Sequence, residues 1–297
     1  MSIATLPARV DAVTTQQNRL TAVTTPDSTL AYDRRLFSNR KSVVLLFGGP
    51  NGALVVKQVR EPERIREEHA AIELLRVHPD VDGFVPTAPL MTQAGRCFSA
   101  GGSGFFVMPH VGCDMVVYRE RHARETCPGA WARCCVDVLA AAAGAMLSLW
   151  VEAGATYYDI KARNILWVGG PPPRVLLCDT GSINSRAATH HVPSELTRAA
   201  PHGSVERYRL YVAWGLACTL LELLDGPEVP RELRRARKEP AAGTRRAMLA
   251  AYERVCADLK EYPDAQDGVL DAATLLIGAL PRGGPDVATI LSLVAGM

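Results

Sequence analysis

The sequence has little net charge. Its 297 residues contain 33 lysines and arginines against 31 aspartates and glutamates, which gives a formal net charge of +2 at pH 7. Binding to nucleic acid that is driven by bulk electrostatics requires a larger positive excess. We therefore expect no direct nucleic-acid binding.

The sequence also lacks paired cysteines and a segment for membrane insertion. Its eight cysteines include no Cys-x-x-Cys pair and lie largely in apolar runs, which is typical of reduced thiols in an intracellular protein. The N-terminal residues do not show the basic segment followed by an apolar segment that is typical of a signal peptide. The longest apolar run, 138–151, is too short to cross a bilayer and predicts a buried core helix. We expect an intracellular protein without a membrane partner.

The order of the predicted elements indicates an α+β fold. Apolar runs at 43–47 and 53–56, separated by Gly-Gly-Pro-Asn-Gly, predict a hairpin, and further strands are predicted at 84–90 and 105–108. Helices are predicted at 61–77, 131–151 and 208–224 and, with breaks, from there to the end. Residues 1–29 are rich in threonine, have little apolar periodicity and predict a flexible tail. The length exceeds a usual single core, so we expect one two-lobed domain or two small ones.

A second predicted hairpin lies at 165–177. Two short runs of branched apolar residues flank Gly-Gly-Pro-Pro-Pro, so they should pair as antiparallel strands. The hairpin would bring Asn164 and Asp179 together at its open end, with Asp159 and Lys161 slightly upstream. Two hard oxygen donors at one point make a plausible Mg²⁺ site. The upstream carboxylate could orient a hydroxyl nucleophile.

Glu68 falls on the apolar side of the predicted helix at 61–77. A buried charge requires a partner, and the nearest candidate is Lys57, at the end of the first hairpin. Glu67 and Glu73 are alternative partners for this lysine, and simple solvation at the surface is a further alternative.

Three motifs resemble those of the protein kinase superfamily. Asp-Ile-Lys-Ala-Arg-Asn at 159–164 resembles the catalytic loop, Cys-Asp-Thr-Gly at 178–181 resembles the metal-binding motif, and Val-Val-Lys at 55–57 resembles the strand that carries the nucleotide-binding lysine. Their order and separation also match. The resemblance implies a bilobal fold with a β-rich N-lobe at 30–110 and a helical C-lobe at 111–297.

The resemblance also implies roles for these residues. Asp159 would accept or orient the proton of the substrate hydroxyl, and Lys161 would neutralise charge on the transferred phosphoryl group. Asn164 and Asp179 would bind Mg²⁺, and Lys57 would bind the α- and β-phosphates of ATP.

Further positions match the nucleotide site of the family. Glu68 would hold the strand lysine in place. With Met108 as the gatekeeper, the carbonyl group of Pro109 and the N–H group of Val111 would contact adenine, and Asp114 would contact the ribose.

The segment 108–115, Met-Pro-His-Val-Gly-Cys-Asp-Met, resembles the hinge of herpesvirus serine/threonine kinases. The alanine- and arginine-rich composition is in keeping with a large DNA virus. This narrower resemblance implies a viral protein that acts in the cytoplasm or nucleus of the host cell. Lys161, two positions after Asp159, implies transfer to serine or threonine of protein substrates.

The sequence departs from the family pattern at several places. No glycine-rich loop occurs at 35–42, Tyr157 and Tyr158 replace the usual His-Arg pair, and Thr180 replaces the usual phenylalanine. The main alternative is therefore a pseudokinase scaffold with weak or no nucleotide turnover. The run 176–182 also resembles an aspartic protease motif, but that family needs two such aspartates. The sequence contains no second Asp-Thr-Gly or Asp-Ser-Gly, so a protease is disfavoured.

Overall fold

The computed structural model divides the chain into two units, one consisting of residues 1–77 and 85–111 and the other of residues 78–84 and 112–297. The sequence-based limits of the lobes, 30–110 and 111–297, remain predictions. The structure describes residues 12–16, 19–24, 29–49, 52–91, 96–170, 172–184, 200–201, 204–226, 241–281 and 284–297.

The described part of the first unit is a β-sheet with one helix. Its elements are β1 (Ala12–Gln16), β2 (Arg19–Thr24), β3 (Thr29–Ser38), β4 (Ser42–Gly49), β5 (Gly52–Val59), α1 (Pro62–Val77), β6 (Ala88–Pro89), β7 (Ser99–Ala100) and β8 (Ser103–Pro109). The strands pair in the order β1-β2-β3-β4-β5-β8-β6, with β7 also paired to β8, and every pair is antiparallel.

The centre of this sheet follows from its sequence. β4 and β5 form the predicted hairpin, paired from Ser42↔Val59 to Gly49↔Gly52. All seven residues of β8 are buried, as expected for a strand with neighbours on both sides. The predicted strand at 84–90 was too long, since only Ala88–Pro89 pairs as a strand. Pro86 explains the early break, because proline cannot donate to a β-ladder.

The structure differs from the predicted flexible tail. β1 and β2 lie within residues 1–29, and the side chains of Leu20 and Val23 are buried in a core cluster with Phe47 and Val56. The threonines of this segment account for the difference, because β-branched residues favour strands. Residues 1–11, 17–18 and 25–28 of the predicted tail lie outside the described residues.

The second unit is mainly helical. Its elements are β9 (Cys113–Asp114), α2 (Met115–His122), α3 (Pro128–Ala153), β10 (Ile165–Gly169), β11 (Arg174–Leu177), α4 (Val205–Asp225), α5 (Ala241–Asp258), α6 (Pro263–Gly278) and α7 (Val287–Ala295). The three strands form an antiparallel sheet in the order β11-β10-β9. Strands dominate the first unit and helices dominate the second, and the α+β prediction is confirmed.

Helix α3 contains the longest predicted apolar run and packs against α4, α6 and α7. Pro128 suits its first turn, and Gly154 ends it in a left-handed conformation, with φ 59°. Among the described residues it is the one helix whose length and hydropathy would suit a membrane span. Twelve of its residues are buried within the helical unit, which agrees with the predicted core helix.

Candidate active site

The hairpin β10–β11 forms as predicted and brings its two ends together. Ile165 is opposite Leu177, and the N–H group of Cys178 donates to the carbonyl oxygen of Asn164 at 2.9 Å. Asn164 therefore lies beside the segment that continues into Asp179. The two predicted metal ligands are neighbours because of the strand register.

Asp159 joins the same group through its carbonyl oxygen and through its side-chain Oδ2. The amide nitrogen of Asn164 donates to the carbonyl oxygen of Asp159 at 2.8 Å and to its Oδ2 at 3.1 Å, and Nζ of Lys161 forms a close ion pair with Oδ2. A 3₁₀ turn at Ala162–Asn164 returns the chain so that these residues meet. The Asp159 side chain is 23% exposed, so the carboxylate is accessible to a solvent-borne group.

Asp179 stands at a sharp turn of the backbone. Its φ and ψ are 62° and 56°, in the left-handed region, where aspartate is tolerated better than most residues. The 3₁₀ turn Thr180–Ser182 follows, and the N–H group of Ser182 donates to the carbonyl oxygen of Asp179 at 2.9 Å. Left-handed residues other than glycine are often found at functional sites.

Tyr157 connects the loop of Asp159 to the segment of Asp179. Its hydroxyl group donates to the carbonyl oxygen of Cys178 at 2.7 Å, and its ring packs edge-on against Phe84. Burial raises the pKa of this phenol well above its ordinary value, so the hydroxyl remains a proton donor. The tyrosine in place of the usual histidine thus supplies a hydrogen bond that fixes both segments.

Tyr158, in place of the usual arginine, lies in an aromatic cluster. Its ring contacts Tyr208 and Tyr211 edge-on at centroid distances of 5.1 and 5.6 Å, and its N–H group donates to the carbonyl oxygen of Ser182 at 3.3 Å. Ring packing and this hydrogen bond hold Tyr158 in place, and its side chain supplies no positive charge at this position.

Helix α4 supports the Asp159 loop from one face. The hydroxyl group of Tyr208 accepts a hydrogen bond from the N–H group of Tyr157 at 3.2 Å. One heptad later Gly215 leaves room for Ile160, since a Cβ atom at this glycine would lie 2.5 Å from the Ile160 side chain. Residues seven apart lie on nearly the same face of a helix, and a further seven residues lead to Glu222.

Glu222 was not predicted from the sequence. Its Oε2 accepts from the N–H group of Ala162 at 3.4 Å. Burial raises the pKa of Glu222, and this hydrogen bond and the charges of Arg163 and Lys161 oppose the rise. Its seven-residue spacing from Gly215 becomes informative only once α4 is known to pack against the Asp159 loop.

In the first unit, Lys57 and Glu68 form the predicted ion pair. Nζ of Lys57 lies 2.6 Å from Oε2 of Glu68, and both side chains are buried. The alternative Glu73 pairs instead with Arg76 at the surface. The pairing is confirmed, whereas the role of both residues in nucleotide binding stays a prediction.

The predicted hinge residues lie at the C-terminal end of the first unit. Met108 and Pro109, at the end of β8, are buried and face Val55 and Leu54 of β5. Val111 is partly exposed and ends the unit. Their contacts with a nucleotide remain predictions.

Asp114 belongs to the second unit and pairs with Leu166 of β10. Its Oδ1 accepts from the N–H group of Val117 at 3.0 Å, which makes it the N-cap of α2. The structure thus gives Asp114 a capping contact that the sequence analysis missed. The ribose contact stays a prediction.

The donor set suits Mg²⁺. Asn164 uses its amide nitrogen for both contacts with Asp159, so its oxygen is not needed for them. Together with the Asp179 carboxylate, this gives two hard oxygen donors, and Mg²⁺ commonly takes its remaining ligands from water and phosphate. In the described parts of the chain no group of three or more His, Cys, Asp or Glu residues could hold a metal.

Comparisons with known proteins rest on structure. No protein-family model matches the chain, and no curated protein sequence matches it. The kinase domain of Mycobacterium tuberculosis PknI is similar with a TM-score of 0.53 and 18% identity, over 90% of this chain and 95% of that one. A double mutant of that domain gives 0.53 and 16%, over 90% and 94%. The granulovirus kinase PK-1 of Cydia pomonella gives 0.48 and 16%, over 67% and 71%. The chain has the bilobal fold of protein kinase domains.

Proposed function

We propose that the protein is an ATP-dependent protein kinase that transfers the γ-phosphoryl group to serine or threonine. The observation that carries this proposal is the group at the open end of β10–β11. There Asp159, Lys161 and Asn164 contact one another, and the bond from Cys178 to Asn164 brings Asp179 alongside. In this proposal Lys57, buried in its ion pair with Glu68, supplies the cation that binds the α- and β-phosphates.

In the proposed reaction the substrate hydroxyl oxygen attacks the γ-phosphorus, and the bond to the β–γ bridging oxygen breaks, which releases ADP. Asp159 orients the hydroxyl group and accepts its proton. Lys161 neutralises charge on the phosphoryl group, and Lys57 binds the α- and β-phosphates. Asn164 and Asp179 would hold Mg²⁺, which when bound supplies positive charge to the phosphates.

The finer parts of the proposal rest on the sequence. Lys161 beside Asp159 supports protein substrates with serine or threonine acceptors. The hinge segment 108–115 supports a viral kinase that acts inside the infected cell, in cytoplasm or nucleus. We propose protein substrates and ATP as its partners, and neither a membrane nor nucleic acid.

Phosphoryl transfer to a generic basic protein from labelled Mg-ATP tests the activity. We expect transfer by the wild type, mainly to serine and threonine, and none by Asp159→Asn. The matched control is Asp271→Asn, the same change at an exposed position on α6, which should keep the wild-type rate. Unchanged transfer by Asp159→Asn would refute the assigned role.

A pseudokinase scaffold is the second candidate, and the turn between β3 and β4 favours it. The N–H groups of Lys41 and Ser42 both donate to Oδ1 of Asn39 at 2.8 Å, so they are engaged within the turn. Thermal unfolding with Mg-ATP separates the candidates, because a bound ligand stabilises the folded state. For a kinase we expect a rise in Tm that Lys57→Ala and Asp179→Ala each remove, whereas a nucleotide-free scaffold predicts no rise.

A further inference from the structure

The turn between β3 and β4, residues 39–41, is closed by its own hydrogen bonds. Besides the two bonds to Oδ1 of Asn39, the N–H group of Asn39 donates to the carbonyl oxygen of Ser42 at 2.9 Å. Three backbone donors are therefore used within the turn. Loops that hold phosphate through their backbone present such N–H groups to the ligand, and this turn directs them inward.

The turn lies at the end of the strand pair that carries Lys57. Val44 faces Lys57 across the β4–β5 ladder, and Ser42 faces Val59. Cross-strand partners, and residues two apart on a strand, share a face of the sheet. Ser42, Val44 and Lys57 therefore share one face, and the turn with Arg40 and Lys41 directly precedes Ser42.

Two cations stand next to each other in this turn. Arg40 is exposed, and within the described residues its side chain has no ion pair. Nζ of Lys41 is 4.0 Å from Oε2 of Glu61, an oxygen that Arg64 contacts at 3.1 Å. The carbonyl oxygen of Lys41 accepts from the N–H group of Arg60 at 3.0 Å, which fixes the turn to the end of β5. The turn is therefore fixed in place and has two basic side chains.

We propose that the side chains of Arg40 and Lys41, rather than the backbone of the turn, bind the terminal phosphates of the nucleotide. The inference rests on the proposed function, in which Lys57 binds the inner phosphates. Charge-assisted hydrogen bonds from arginine and lysine are strong contacts to phosphate, and at an exposed site they are screened by salt. The affinity of this protein for nucleotides should therefore rise steeply with the number of phosphates.

Calorimetric titration of the full chain with Mg-ATP, Mg-ADP and adenosine tests the proposal. We compare wild type, Arg40→Gln, the double variant Arg40→Gln/Lys41→Gln, and Arg66→Gln as a control that removes one exposed charge from α1. At about tenfold for each charge-assisted hydrogen bond, Arg40→Gln should weaken Mg-ATP about tenfold and the double variant about 100-fold. Mg-ADP should weaken less, adenosine should not change, and Arg66→Gln should bind like the wild type.

The arms of this experiment separate two failures. A wild type that binds no Mg-ATP contradicts the proposed function and removes the basis of the inference. A wild type and a double variant that bind Mg-ATP equally well contradict the inference alone. A double variant that weakens adenosine as much as Mg-ATP also contradicts it, because the turn would then act on the whole site rather than on the phosphates.

Discussion

The ion pair of Lys57 and Glu68 permits a stability experiment in which distance is held constant and burial varies. Nζ of Lys57 and Oε2 of Glu68 are 2.6 Å apart, with side chains 10% and 3% exposed. Arg76 and Glu73 are also 2.6 Å apart, with side chains 68% and 60% exposed. Both glutamates lie on α1, so Glu68→Gln and Glu73→Gln are matched changes.

The expected magnitudes differ because desolvation differs. Glu68→Gln removes the carboxylate that lies 2.6 Å from the buried Lys57 ammonium, and breaking a buried pair in this way costs about 3–5 kcal/mol of the free energy of unfolding. Glu73→Gln removes a solvated pair and should leave stability nearly unchanged. The double variant Lys57→Met/Glu68→Leu should recover most of the loss, because well-packed apolar residues can replace a buried pair.

Urea unfolding provides the assay. All four tryptophans, Trp131, Trp150, Trp167 and Trp214, lie in the second unit, so their fluorescence reports that unit, whereas far-UV circular dichroism reports both. We expect Glu68→Gln to lower the midpoint measured by circular dichroism. A loss for Glu68→Gln no larger than that for Glu73→Gln would refute the reasoning, and so would a double variant less stable than Glu68→Gln.

Three further predictions concern the second unit. Tyr157→Phe removes the donor to the carbonyl oxygen of Cys178 and should lower the free energy of unfolding by about 1–3 kcal/mol. Steady-state kinetics should show that it lowers kcat more than it changes KM. Glu222→Gln keeps an acceptor for the N–H group of Ala162 and removes the carboxyl group whose pKa is raised. Wild-type stability should fall as the pH rises from the ordinary glutamate pKa, about 4.3, through the raised value, so the variant should be the more stable protein at neutral pH. Equal pH profiles of stability for the two proteins would contradict this. Arg209→Ala removes a buried guanidinium group that binds a glutamate and two carbonyl groups. The free energy of unfolding, measured with urea, should fall by about 3–5 kcal/mol. An effect no larger than that of Arg246→Ala, at an exposed position, would contradict this.

Local signals in the sequence were sufficient for the hairpins and for one ion pair. The Gly/Pro blocks at 48–52 and 169–173 end strands on both sides, which is information contained within a few residues. Helical periodicity placed Glu68 on the inner side of α1, and Lys57 was the nearest cation. The same kind of signal existed for Asp114, which directly precedes α2, although its capping role was missed.

Contacts between distant segments could not be predicted in this way. Tyr208 supports Tyr157 across 51 positions, and Glu222 contacts Ala162 across 60. Nothing near either residue in the sequence indicates its partner, because the packing of α4 against the loop decides the contact. The first two strands were missed for another reason: the threonine-rich composition of residues 12–24 suits strands as well as disorder, and burial of Leu20 and Val23 decides for strands.

The central claim is that Lys57 and Asp179 both serve the proposed phosphoryl transfer. Phosphoryl transfer by the wild type, Lys57→Met, Asp179→Asn and the double variant tests this most directly. If both residues serve one reaction, their effects are not additive: each single variant should lose at least about 100-fold in rate, about 2.7 kcal/mol in activation free energy, and the double variant should be no slower than the slower single variant. Wild-type rates in either single variant, or no transfer by the wild type, would contradict the account.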